Sequence, residues 1–90
     1  MAVYRYDDRI PKIGKNVYIS DSARVIGDVS IGDNCYVGHG AIVRGDYGKI
    51  IIGAGSAIEE NAILHIRPDG TLELEESVTR AWCHYTRQTN

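Results

Sequence analysis

The sequence predicts an all-β fold, a parallel β-helix of about three coils, and two observations predict it. Aliphatic residues recur at every sixth position, and the count resumes after a three-residue insertion: Ile19, Val25, Ile31, Val37, Val43, Ile52, Ile58 and Leu64. Six of them are followed four positions later by a small or compact residue, with an interruption at Tyr47: Ala23, Val29, Cys35, Ala41, Ser56 and Ala62. Neither a helix nor a plain strand has this period, so an internal repeat is indicated.

Each six-residue repeat is interpreted as a short strand followed by a corner. The aliphatic residue points inward and the small residue lets the backbone turn. Three such sides make one triangular coil, and stacked coils pair their strands in parallel around an internal aliphatic ladder. We therefore predict three regions: a lead-in strand or cap over residues 1–16, the β-helix over residues 17–79 and an irregular tail over residues 80–90.

Composition agrees with this fold. The 90 residues include ten glycines but a single tryptophan and no phenylalanine, so a large aromatic core is excluded. Glycine supplies the conformations that tight corners need, and Val and Ile favour strands.

Charge and cysteine content exclude several functional classes. A formal net charge of −2 gives no sign of a nucleic-acid groove or of binding to an anionic membrane. No apolar run is long enough for a membrane span, and residues 1–10 lack the apolar stretch of a secretory signal. Cys35 and Cys83 form neither a disulfide framework nor a metal quartet and are predicted to be free thiols. We expect a soluble cytoplasmic protein without nucleic-acid or membrane partners.

Two interruptions of the repeat, at residues 45–49 and 67–70, are predicted to leave the coil as surface loops. Counting three sides per coil then predicts vertical neighbours. Val43, Leu64 and residue 86 would share one face, and Val37, Ile58 and residue 80 another. Arg44 would lie one coil from His65, beside an inserted loop.

The repeat fails after Thr79. Leu74 still fits an inward position, but the next inward positions hold Arg80 and Thr86, and the small column holds His84. Residues 80–90 therefore show no repeat, cap or turn signal.

Three segments resemble the γ-class carbonic anhydrase-like family: Val25-Ile26-Gly27-Asp28-Val29-Ser30-Ile31-Gly32, Arg44-Gly45-Asp46 and Ala62-Ile63-Leu64-His65. The likeness spans about residues 18–79. The six-residue repeat alone is shared with acyltransferases and sugar transferases, whereas Arg-Gly-Asp followed one coil later by His65 is more specific. The resemblance implies a left-handed β-helix with a C-terminal helix, of which this chain would lack the helix and the later coils. It also implies self-association as a trimer.

The resemblance also implies a site. His65 matches the first of three histidines that bind Zn²⁺, or Fe²⁺ or Co²⁺, between neighbouring subunits. Arg44 and Asp46, with an acid at Glu60, match residues that form ion pairs across the subunit boundary. Glu59 stands where the family often has a glutamine that orients the metal-bound water, and Ala57 where it often has an asparagine. The implied reaction is attack of metal-bound hydroxide on CO₂ to give bicarbonate.

The other two metal histidines of the family belong to a GHGAIIHG segment that should fall at about residues 81–88. Trp82 and Arg87 stand at the two ligand positions. Codons exist for residues 80–88 that encode GHGAIIHG when one base is dropped, so we hypothesise that a frameshift near Thr79 produced an out-of-frame tail. The DNA sequence tests this directly. This chain is accordingly expected to bind metal poorly, if at all, and to be impaired as an enzyme.

Simpler interpretations stay open for the remaining candidates. His65 is as well explained by an outer-face position beside Arg44, and His39 and His84 by exposed positions, with His39 on a different vertical row from His65. Arg44 and Asp46 could form an ordinary surface ion pair. Two other functions stay open: a non-catalytic β-helix scaffold or assembly module and, more weakly, a hexapeptide acyltransferase.

Overall fold

The computed structural model describes residues 3–66, 68, 70–74, 79–80 and 84–86. Strands follow one another through these residues, and no helix is present among them. The strands are β1 Val3–Tyr4, β2 Lys12–Ile13, β3 Tyr18–Ile19, β4 Arg24–Ile31, β5 Tyr36–Val37, β6 Ile42–Ile52, β7 Ala57–Ile58, β8 Ile63–His65, β9 Thr71–Leu74, β10 Thr79–Arg80 and β11 His84–Thr86. This described part accordingly has no helix that could span a membrane.

The strands stack in parallel on three sides of a triangular coil. The first side runs β1, β4, β6, β8, β11, and the second adds β2 to the far half of β4 and β9 to the far half of β6. The third side is a separate sheet in the order β3, β5, β7, β10. The all-β prediction is confirmed: the chain is a left-handed parallel β-helix of about three coils.

The two columns predicted from the repeat form the core. Val25, Val37, Val43, Ile58 and Leu64 are fully buried, and Ile31 and Ile52 are nearly so. Every small-column residue is buried as well, including Ser56. Inward aliphatic side chains thus lie above one another in successive coils, because parallel pairing repeats the same position at each level.

The interruption at Tyr47 has a simple structural explanation. Val29 pairs with Ile50, and Ile50 pairs with Leu72, so Ile50 occupies the place in the small column that counting assigned to Tyr47. Ile50 is fully buried whereas Tyr47 is 55% exposed. The insertion therefore displaces the column residue by three positions and leaves Tyr47 on the surface.

Asparagine and glycine turn the corners. Asn16, Asn34 and Gly55 occupy one corner, and Gly40 and Asn61 a second, all with φ between 56° and 73°. At the third corner Gly27 has φ 77°, and a Cβ there would lie 2.5 Å from the carbonyl oxygen of Gly45. Left-handed backbone is tolerated by Gly and Asn, which explains why these residue types recur at coil spacing.

The N-terminal residues lie against the coil. β1 pairs with β4 at Val3 and Val25, and β2 pairs with β4 at Lys12 and Ser30. Between them the chain makes a hairpin closed by reciprocal backbone hydrogen bonds of 2.9 Å between Tyr6 and Arg9. Asp7 at its tip has φ 55°.

Backbone pairing continues into the segment predicted to be an irregular tail. Thr79 and Arg80 pair with Ala57 and Ile58, as counting predicted for residue 80. The expected partner of Leu64 was residue 86, which is wrong by one position, since Tyr85 pairs with Leu64 and Thr86 with His65. The spacing falls from 22 residues at Ala57 and Thr79 to 21 at Ile63 and His84. The boundary at residue 80 stays a prediction.

Candidate functional site

Arg44 and His65 are vertical neighbours on the outer face of the first side. The register pairs Val43 with Leu64 and Arg44 with His65. Val43 and Leu64 are fully buried, and strand side chains alternate between faces, so Arg44 and His65 point outward. The predicted vertical pairing of Arg44 with His65 on one outer row is confirmed.

Asp46 is held by three contacts at the start of the inserted loop. Its Oδ2 accepts a hydrogen bond from Arg44 Nη2 at 3.0 Å, and its Oδ1 accepts one from the Tyr47 amide at 3.0 Å. Its backbone carbonyl accepts a hydrogen bond from Arg9 Nη1 at 3.0 Å. The Asp46 side chain is 14% exposed and that of Arg44 39%. This ion pair therefore forms within one chain, and its expected role across a subunit boundary stays a prediction.

Glu60 lies at the corner after the third side, against Tyr36. The Tyr36 hydroxyl donates a hydrogen bond to Glu60 Oε2. This bond lowers the pKa of Glu60, with smaller lowering contributions from a backbone hydrogen bond and from the charge of His39. The same bond raises the pKa of the Tyr36 phenol above its ordinary value. In a single chain Glu60 thus belongs to a cluster with Tyr36 and His39, and its predicted pairing with Arg44 and Asp46 is untested.

Tyr18 extends this cluster by one coil. Its ring stacks on that of Tyr36 with centroids 5.4 Å apart and planes 13° from parallel. Tyr18 is 57% exposed and Tyr36 38%. Sequence reasoning missed the pair, although its register of Tyr18 on Tyr36 is the 18-residue spacing of one complete coil.

Glu59 and Ala57 also lie on or beside the third side. Ala57 pairs with Tyr36 in the register of β5 and β7. Glu59 follows β7, is half-buried, and its charge contributes to the raised pKa of Tyr36. The expected part of Glu59 in orienting water stays a prediction.

His39 and His65 do not converge on a metal site. His39 is exposed at a corner, where its carbonyl accepts a hydrogen bond from the Asn61 amide at 3.0 Å, while His65 lies in the row of Arg44. Among the described residues no group of three His, Cys, Asp or Glu could hold a metal ion. Trp82 and Arg87 lie outside those residues, so the predicted loss of two ligands stays a prediction, as does the frameshift.

Cys35 is a free, buried thiol, as expected. Its Sγ lies 3.2 Å from the carbonyl oxygen of Gly53, in the next coil. It therefore fills the small column and packs between coils. Cys83 lies outside the described residues.

Three comparisons relate this chain to known proteins. The family profile described as bacterial transferase hexapeptide (six repeats) matches residues 10–45. The chain is 40% identical over 65 residues to the carnitine operon protein CaiE of Proteus sp. (strain LE138), covering 72% of this chain and 33% of that protein. It is 34% identical over 77 residues to a carbonic anhydrase of Geobacillus kaustophilus (strain HTA426), covering 86% and 42%.

A solved structure is also similar to this chain. The hexapeptide transferase family protein of Anaplasma phagocytophilum superimposes with a TM-score of 0.81 at 33% identity, over 87% of this chain and 45% of that one. The chain therefore spans between a third and a half of the length of the proteins it matches.

Proposed function

Because the chain belongs to the γ-carbonic anhydrase-like family of hexapeptide-repeat proteins, we propose that it is a carbonic anhydrase-like protein. We propose as its reaction the one that the family resemblance implies, hydration of CO₂ to bicarbonate at a metal-bound hydroxide. We further propose that the 90-residue chain is impaired in this reaction and self-associates through the faces that carry its site residues.

The observation that carries the proposal is the outer row of the first side. Arg44 lies directly above His65, and Asp46 holds Arg44 through a 3.0 Å ion pair. A half-buried guanidinium–carboxylate pair fixes the position of a charged group beside an imidazole, which a scattered surface pair does not do. This is the arrangement that the family resemblance implies around its first metal histidine.

The residues that the structure describes do not fit a catalytic zinc. Such a site takes three protein ligands and an open position. The described residues of one chain offer His65, and the neighbouring position in its row is occupied by the cationic Arg44. We therefore derive no catalytic step through a metal and propose impaired activity instead.

Metal analysis and CO₂ hydration by stopped flow test the proposal on the chain purified without chelators. We expect substoichiometric metal and a rate close to that of buffer. His65→Ala should remove the residual bound metal, whereas the matched control His39→Ala should leave it in place. Stoichiometric zinc with a hydration rate that depends on His65 would show that the chain is a competent enzyme and that impairment is the wrong part of the proposal.

A scaffold function is the alternative favoured by the third side. Tyr18 and Tyr36 present a stacked aromatic pair to solvent, and exposed tyrosines are common at protein interfaces. Light scattering distinguishes the cases, since a scaffold predicts an assembly that Tyr18→Ser dissociates while residual metal binding is unaffected.

Acyl transfer is the weaker alternative, supported by the transferase names of the matching profile and structure. It predicts consumption of a coenzyme A thioester by the chain. An assay for free thiol release checks this, and the carbonic anhydrase-like proposal predicts none above the spontaneous rate.

A further inference from the structure

A second polar site lies at the corner between the first and second sides, apart from the Arg44–His65 row. It is a cavity of about 240 Å³ lined by Arg9, Asp28, Tyr47, Gly48, Lys49, Gly70 and Thr71. At about 30 Å³ per water this volume holds roughly eight waters, or a small organic ion. We propose that this corner cavity binds a small carboxylate that carries a hydroxyl or amine donor.

Three outward positions of the strands build one wall. Val29, Ile50 and Leu72 are paired inward neighbours, so the residues immediately before them, Asp28, Lys49 and Thr71, face outward. Lys49 is paired with Thr71 in the register of β6 and β9. An ammonium, a hydroxyl and a carboxylate are thereby brought to one corner from three successive coils.

Arg9 closes the other side from the N-terminal hairpin. Its Nη1 donates to the carbonyl of Asp46, and Tyr6 of the same hairpin packs edge-on against Tyr47 with centroids 6.5 Å apart. These contacts fix the hairpin over the loop. A guanidinium has five N–H donors, so Arg9 keeps further donors for a ligand.

The charged residues that line the cavity favour an anionic ligand. Among the lining residues that the structure describes, Arg9 and Lys49 bring two positive charges and Asp28 brings one negative charge. Lys49 has no acidic partner within this described part of the chain. Charge-assisted hydrogen bonds from two cations suit a carboxylate. Asp28 only accepts, so it suits a ligand that also carries a hydroxyl or ammonium group.

Glycine makes room for that ligand. Gly48 and Gly70 both line the cavity and are buried, and the Lys49 amide donates to the Gly70 carbonyl at 3.0 Å. This backbone hydrogen bond ties the first inserted loop to Gly70, and neither glycine adds a side chain to the cavity. The site is a property of the loops and is independent of the metal chemistry proposed above.

Glycolate is the probe, followed by amide chemical shifts of the ¹⁵N-labelled chain. We expect saturable shifts at Gly48, Lys49, Gly70 and Thr71 with a dissociation constant in the millimolar range. Ethylene glycol, which lacks the carboxylate, should give no saturable shift, and acetate, which lacks the hydroxyl, should bind about 3-fold to 10-fold more weakly.

Substitutions test which charged side chains bind glycolate. Lys49→Gln should weaken glycolate binding about 10-fold, Lys49→Arg should retain it, and the control Lys12→Gln, which removes an exposed lysine on the second side, should leave it unchanged. Asp28→Ala, which removes the acceptor, should abolish the preference for glycolate over acetate. Unchanged amide dispersion shows that each variant is folded. An absence of saturable shifts, or equal weakening by Lys12→Gln and Lys49→Gln, would overturn the proposal.

Discussion

Ile51 and Ile52 are adjacent in one strand, yet they face two different regions of this molecule. Ile52 lies in the inner column and is 2% exposed, with Ile31 and Leu74 as its paired neighbours. Ile51 lies in an outer row between Ser30 and Glu73. The inner columns repeat one kind of residue at every level, whereas the outer rows change from level to level. The inward residues therefore determine the fold, whereas the outward residues give this chain its particular chemistry.

The largest expected effect is on the inner column. Ile52→Ala should lower the free energy of unfolding by about 3 kcal/mol, because it removes a buried side chain. The paired coils on either side hold their positions, so the cavity left behind is not filled. The matched variant Ile51→Ala removes the same atoms from a half-buried outer position and should cost about 1 kcal/mol or less. Urea denaturation of both variants checks the difference, and equal losses would contradict the division between inner and outer positions.

The second-largest loss of stability is expected at the corner between the first and second sides. Gly27→Ala should cost about 2 kcal/mol, because its left-handed backbone and the nearby Gly45 carbonyl leave no room for a methyl group. Gly55→Asn is the matched control, since Asn34 adopts the same conformation in the coil above. Thermal unfolding of the two variants checks this, and a larger loss for Gly55→Asn would contradict it.

The ion pair between Arg44 and Asp46 on the outer face should contribute less to the free energy of unfolding. Arg44→Gln and Asp46→Asn should each lower the free energy of unfolding by about 1 kcal/mol or less, since Arg44 is substantially exposed and solvent screens the pair. A double-mutant cycle by chemical denaturation measures the coupling. A coupling well above that value would mean that the outer row also carries the fold.

The smallest expected effect concerns Tyr36 and Glu60. The pKa of Glu60 is lowered in the folded chain, so its contribution to stability is complete above the ordinary value of 4.5 and is lost as the pH falls through the lowered one. The pKa of Tyr36 is raised, so its contribution is present below 10.0 and is lost as the pH rises through the raised value.

Tyr36→Phe removes this hydrogen bond and should raise the titration midpoint of Glu60. Its destabilisation relative to the parent chain should be present near neutral pH and disappear in acid. Carboxyl NMR titration measures the midpoint, and Tyr18→Phe, which retains the ring stack, is the control. A midpoint that does not move would show that the hydrogen bond is not what lowers the pKa.

The inner columns could be predicted from sequence because burial constrains every residue in them. The same count placed Arg44 over His65 correctly, because resuming the six-residue count at Ile52 allows for the three-residue insertion between them. It assigned Tyr47 to the place of Ile50 because counting alone cannot tell which inserted residues leave the coil. It misplaced residue 86 because a fall in spacing from 22 to 21 residues has no sequence signal.

The cluster of Tyr36 and Glu60 was beyond sequence reasoning for a different reason. The two residues are 24 positions apart, and their contact depends on side-chain conformations at a corner as well as on the register. The stacked Tyr18 could have been found from its spacing. Hydrogen bonds between outer side chains follow no repeat, so only coordinates reveal them.

Parallel stacking has a consequence for how this chain reaches its structure. Paired residues are separated by 18 residues between β3 and β5 and by 21 or 22 between later coils. The entropy of closing a loop changes slowly with length, so each new coil meets nearly the same kinetic barrier. Folding can then propagate from a formed coil to its neighbours, as in other linear arrays. Hydrogen exchange should be slowest in β6, which is paired on both edges, and fastest in β1, which is paired on one edge.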